Sequence, residues 1–144
     1  MEAVKAFQQD AGLRRGRGLA LVALGTGRFA LDEDEPLIEF AGESHVIATL
    51  NGATSTDFNV MTRRERCQHR LGRRVLDGPS QFAARGDVTI LFLAEGESLT
   101  VSSDAERLGL VRYDTVVFDS SAVWTLDATD AIVFVVDIFF AQPA

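Results

Sequence analysis

Hydrophobic and polar residues alternate along this chain in short bursts, and each burst is stopped by glycine, proline, asparagine or aspartate. That punctuation predicts strands over 19–24, 28–31, 37–40, 45–50, 57–63, 68–76, 88–93, 98–102, 115–118, 122–126 and 131–140. The breaks between them fall at Gly25-Thr26-Gly27, Gly42, Asn51-Gly52, Asp77-Gly78-Pro79 and Gly96, all residues that suit turns. Pro36 precedes the strand at 37–40, where a missing N–H does little harm. The segment 108–111 reads equally well as strand or loop. Only 2–9 has helical potential, and Ala11-Gly12 and Gly16-Arg17-Gly18 break it, so 1–18 is expected as a short helix or an arm.

The last strand says most about architecture. Ile132, Phe134, Val136, Ile138 and Phe140 fall on one face, and Ala131, Val133, Val135, Asp137 and Phe139 on the other. A strand apolar on both sides is covered on both sides. About ten short strands with no helix of ordinary length between them predict an all-β sandwich or small barrel over 19–144, as a single domain. No internal repeat is legible in the residues.

With 144 residues, 47% of them hydrophobic, the chain can bury a core without staples. The lone Cys67 has no disulfide partner, and no signal-type apolar segment opens the sequence, so a cytoplasmic setting is expected. No apolar run approaches the length of a membrane helix. The net charge of −7 argues against general nucleic-acid binding. The charge is uneven, however. Positions 63–74 carry six arginines and one glutamate, a balance of +5 that leaves −12 elsewhere, including Asp32-Glu33-Asp34-Glu35. A solvated basic stretch is the plain reading; arginines facing a pocket for an anion is the sharper one.

Residues that would carry catalysis are scarce. His45 and His69 are the only histidines, too few for a typical His-rich metal site, and no metal or cofactor is expected. There is no G-x-S-x-G nucleophile elbow and no phosphate-cradling glycine loop. Cys67 lies among Arg64, Arg66, His69 and Arg70, which would activate a thiol only if they met it in space. Asp137 stands out as an acid in an apolar strand. Either it sits at a strand end facing water, or it is a pocket carboxylate that needs an arginine or several N–H donors.

One stretch is more specific than the rest. Asp57-Phe58-Asn59-Val60-Met61-Thr62-Arg63-Arg64 resembles the D-F-N-[VL]-M-x-R-R signature of the HutD/Ves family, and Pro36-Leu37-Ile38-Glu39-Phe40-Ala41-Gly42-Glu43 resembles the strand and turn upstream of it. The resemblance spans roughly 19–144. It implies a cupin-like antiparallel β-barrel or sandwich with little helix. It also implies association with bacterial histidine utilisation, through binding of an intermediate such as formylglutamate rather than catalysis; other members are described as stress-induced. Family members usually open with a longer N-terminal half holding a W-K-N-G-G-G-like segment, which this chain lacks, so an exposed sheet edge covered in a homodimer is expected.

On a strand, Asp57, Asn59, Met61 and Arg63 share one face, while Phe58, Val60, Thr62 and Arg64 share the other. An acid, an amide, a thioether and a guanidinium suit a pocket wall, since an amide both donates and accepts and an arginine grips a carboxylate with two parallel bonds. The expected ligand site is therefore Asp57, Asn59, Met61, Arg63, Arg64 and His45, for a small anionic metabolite. Two other functions remain open at this level. A metal-free cupin-type isomerase or epimerase acting on a small acid or sugar would use His45, Asp57 or Tyr113 as acid or base. A structural dimerising module would have its interior filled by side chains.

Overall fold

A computed structural model of the chain describes residues 2–9, 20–24, 27–31, 37–50 and 55–142. They form fourteen strands and, among the described residues, no helix. In chain order these are β1 (Glu2–Gln9), β2 (Ala20–Leu24), β3 (Gly27–Leu31), β4 (Leu37–Ala41), β5 (Val46–Leu50), β6 (Ser55–Thr62), β7 (Cys67–Leu76), β8 (Ser80–Ala83), β9 (Val88–Glu95), β10 (Ser98–Ser102), β11 (Arg107–Val111), β12 (Thr115–Phe118), β13 (Val123–Asp127) and β14 (Ala131–Phe140). No helix in the described residues is long and apolar enough to cross a membrane. The acidic run 32–35, the Asn51-Gly52 turn and the Gly16-Arg17-Gly18 break lie outside the described residues.

The short helix or arm expected over 1–18 is corrected at 2–9. These residues are β1, hydrogen-bonded on both sides, to β4 and to β6. Glu, Ala, Lys and Gln lean towards helix in isolation. Two flanking strands offering complete backbone ladders outweigh that preference. The segment 108–111 resolves as strand, and β8 is a short strand that the hydrophobic pattern does not announce.

The chain divides into two compact units, Met1–Arg64 and Glu65–Ala144. Within the first, the sheets have strand orders β4-β1-β6 and β3-β2-β5. Within the second, the orders are β12-β9-β14-β7 and β11-β10-β13-β8. The topology repeats. Replacing β1 to β6 by β9 to β14 turns the first pair of orders into the second, with β7 and β8 added as edge strands. The repeat is carried by strand order and not by residue identity, so it leaves no trace in the sequence.

The C-terminal unit is a sandwich. Leu76, Leu91, Leu93, Phe118, Ala131 and Val133 of one sheet form a single buried cluster with Phe82, Leu99, Val101, Leu110 and Leu126 of the other. Burying a side chain of this kind is worth about 1.5–3 kcal/mol, and this cluster is the main stabilising feature of the unit. Phe118 joins the two layers through tilted contacts with Phe82 at 5.4 Å and Trp124 at 5.2 Å between ring centroids. β14 is buried on both faces: Val133 on one, Phe134 and Val136 on the other, none more than 1% exposed.

Candidate functional site

Two places hold the chemistry, one in each unit. In the N-terminal unit, β6 carries the sequence signature at an edge of its sheet. The strand alternates as its sequence requires. Val60 and Thr62 are buried, whereas Asn59 and Met61 are exposed, Met61 by 66%. Residues paired in register present their side chains to the same face. Across β1, Lys5 is in register with both Asn59 and Ile38, and Ala3 with both Met61 and Phe40. The face bearing Asn59 and Met61 therefore continues on β4 as Phe40, which is half-buried, and Ile38, only 8% exposed. It grades from solvent at β6 to buried apolar side chains at β4.

Arg63 follows β6 and is exposed, and Arg64 opens the turn after it. The Arg64 guanidinium donates to Oε1 of Glu43, from the turn between β4 and β5, at 2.5 Å. Both partners are exposed, so the pair orients Arg64 more than it stabilises the fold. His45 is exposed in the same turn as Glu43. Asp57 lies on β6 opposite Phe7; its side chain is outside the described residues.

The second place is a cavity of about 470 Å³ in the C-terminal unit, lined by Arg74, Gln81, Phe82, Arg85, Val135 and Asp137 among others. Asp137 is half-buried within β14, in register with Thr89 of β9 and Arg70 of β7. Its Oδ1 accepts three hydrogen bonds: from the Thr89 hydroxyl at 2.6 Å, the Arg85 backbone N–H at 3.2 Å and the Gly86 N–H at 3.3 Å. The solvated strand-end reading of Asp137 is thus replaced by the internally satisfied one, with N–H donors in place of an arginine. Hydrogen bonds to a charged group contribute about 1.5–3 kcal/mol each, which offsets the cost of drawing a carboxylate out of water.

The residue at 86 must be glycine for this to work. A Cβ there would stand 2.5 Å from the Val88 carbonyl oxygen and 2.6 Å from both the N and O of Ile138, all backbone atoms that cannot step aside. Arg74 is held along the cavity wall. Its guanidinium donates to the Gln81 carbonyl at 3.1 Å and to Ser80 Oγ at 3.5 Å, and stands over the Phe82 ring at 5.8 Å.

The remaining sequence candidates lie elsewhere. His69 is buried on β7, and Cys67 is half-buried at the start of that strand. Tyr113 occupies an exposed turn between β11 and β12 with a left-handed backbone (φ 73°), where its ring stacks on Phe92 at 6.2 Å. Among the described residues, no three His, Cys, Asp or Glu side chains gather as a metal site would need. A second cavity, of about 610 Å³, is lined by Val101, Leu108, Val116, Phe118 and Trp124 with Glu106 at its rim. Neither cavity takes a wall residue from the signature strand. Sequence reasoning singled out Asp137 but missed Arg74 and Arg85 as lining the same cavity, because contacts between segments distant in sequence are invisible to a linear pattern.

The fold places the chain among the cupin-like all-β proteins. It resembles a conserved protein of unknown function from Pseudomonas aeruginosa PAO1 (TM-score 0.78, 17% identity, covering 97% of this chain and 72% of the other). It also resembles HutD from Pseudomonas fluorescens SBW25 (TM-score 0.70, 19% identity, 98% and 69%) and the protein YhaK from Escherichia coli (TM-score 0.61, 12% identity, 96% and 75%). No curated protein matches the sequence. Residues 8–135 match the HutD family, and the chain belongs to that family.

Proposed function

We propose that the chain is a HutD-type protein of histidine utilisation that binds a small anionic metabolite, of the formylglutamate kind, without transforming it. The ligand site is the face and trailing turn of β6: Asp57, Asn59, Met61, Arg63 and Arg64, with His45 nearby in sequence terms on the β4–β5 turn. The observation that carries the reading is the grading of this face. Asn59 and Met61 meet solvent, while on β4 the same face carries the half-buried Phe40 and then the buried Ile38. An amide and a guanidinium beside apolar ground can hold a short acid by its carboxylate and its methylenes together. Arg64 is already oriented by Glu43, which reduces the ordering that binding must impose.

Thermal-shift measurements against N-formyl-L-glutamate, L-glutamate and urocanate test the proposal. A ligand that binds the native state raises its apparent stability, so at least one of these anions raises Tm at millimolar concentration. An unchanged Tm with all three contradicts the proposal.

A further inference from the structure

The cavity of the C-terminal unit carries charges of both signs, and two of its polar groups have no hydrogen-bond partner among the described residues. Oδ1 of Asp137 accepts three hydrogen bonds and is saturated, whereas Oδ2 of the same half-buried carboxylate has no hydrogen bond among the described residues. Arg85 contributes its backbone N–H to Asp137, but its guanidinium makes no hydrogen bond or ion pair there or elsewhere among the described residues. The two side chains line one cavity without pairing. Arg74 adds a second cation, pinned by Gln81, Ser80 and Phe82.

This combination discriminates by charge. A simple anion drawn by the arginines meets the Asp137 carboxylate, and a simple cation drawn by Asp137 meets two guanidinium groups. A molecule with both charges a few bonds apart satisfies all of them. We propose that this cavity binds a free α-amino acid as its zwitterion, with the ammonium donating to Oδ2 of Asp137 and the carboxylate accepting from Arg85. The apolar part of the lining, Phe82, Ala83, Val123 and Val135, takes the side chain. A volume of about 470 Å³ suits a molecule of this class. This site lies within the C-terminal unit and takes a different charge class from the anion proposed for β6, so either can fail without the other.

The test is amide chemical-shift mapping of the full chain with each of the common free L-amino acids at about 10 mM, a concentration that reveals even weak binding. At least one shifts the amides of 81–86 and 135–137, and its N-acetyl and C-amide counterparts bind about tenfold more weakly or worse, each having lost one charge. Two variants probe the assigned contacts. Asp137→Asn keeps an oxygen for the three internal donors and replaces Oδ2 by an NH2 group, so it retains the fold and rejects the ammonium. Arg85→Ala leaves the backbone donor in place and no longer distinguishes the amino acid from its amide. The proposal is overturned if no amino acid shifts these amides, if the blocked counterparts bind equally well, or if both variants, folded by their spectra, bind as wild type.

Discussion

β6 and β14 hold the same topological place in the two units, each next to the strand that opens its unit's repeat, yet they treat polar residues in opposite ways. Met61 stands opposite the second residue of β1, and Asp137 opposite the second residue of β9. Met61 is 66% exposed and, among the described residues, β6 ends its sheet. Asp137 is half-buried and β14 is flanked by β7 as well as β9. The added strand makes the difference. Once β7 covers the edge of β14, a carboxylate there must find donors inside the protein, and the Arg85–Gly86 turn and Thr89 supply them. At the edge strand β6, the matching position is filled by Met61, which faces solvent.

The contrast predicts a ranked set of stability effects, measured by chemical or thermal denaturation. Gly86→Ala has the largest, a loss of about 3 kcal/mol, because its Cβ meets three backbone atoms. Asp137→Ala follows, with a loss of about 2–3 kcal/mol, since the Arg85 N–H and the Thr89 hydroxyl lose their acceptor while the Gly86 N–H keeps only Thr89 Oγ1. Asp137→Asn costs about 1 kcal/mol, as its carbonyl oxygen still accepts but carries no charge. Gly72→Ala changes stability in the other direction, raising it by about 0.5 kcal/mol: Gly72 lies in β7 with open space where a Cβ would stand. Met61→Gln on β6 has the smallest effect, within about 0.5 kcal/mol of zero. A Met61 variant as damaging as the Asp137→Ala variant would break the comparison between the two strands.

Much of the fold was legible in the sequence because burial and alternation are local signals. The strands at 88–93, 98–102 and 131–140 announce themselves through β-branched and aromatic runs between turn residues, and each is present. β1 was not legible: its helix-leaning residues are strand only because β4 and β6 flank them. β8 has a single large apolar residue, Phe82, too little for a pattern. The duplicated topology lives in strand order alone. At the sites, the signature on β6 could be read as a motif, and Asp137 as an anomaly. The donors that satisfy Asp137 lie some fifty residues away in sequence, at Arg85, Gly86 and Thr89, and only the pairing of β9 with β14 brings them together.

The most direct test of the proposed function is calorimetric titration of N-formyl-L-glutamate into the wild-type chain and into a variant carrying both Arg63→Ala and Arg64→Ala. The account predicts saturable binding to wild type that weakens about tenfold or more in the double variant, with the thermal unfolding of the free proteins little changed. Equal binding by the two proteins, or none by wild type, would contradict it.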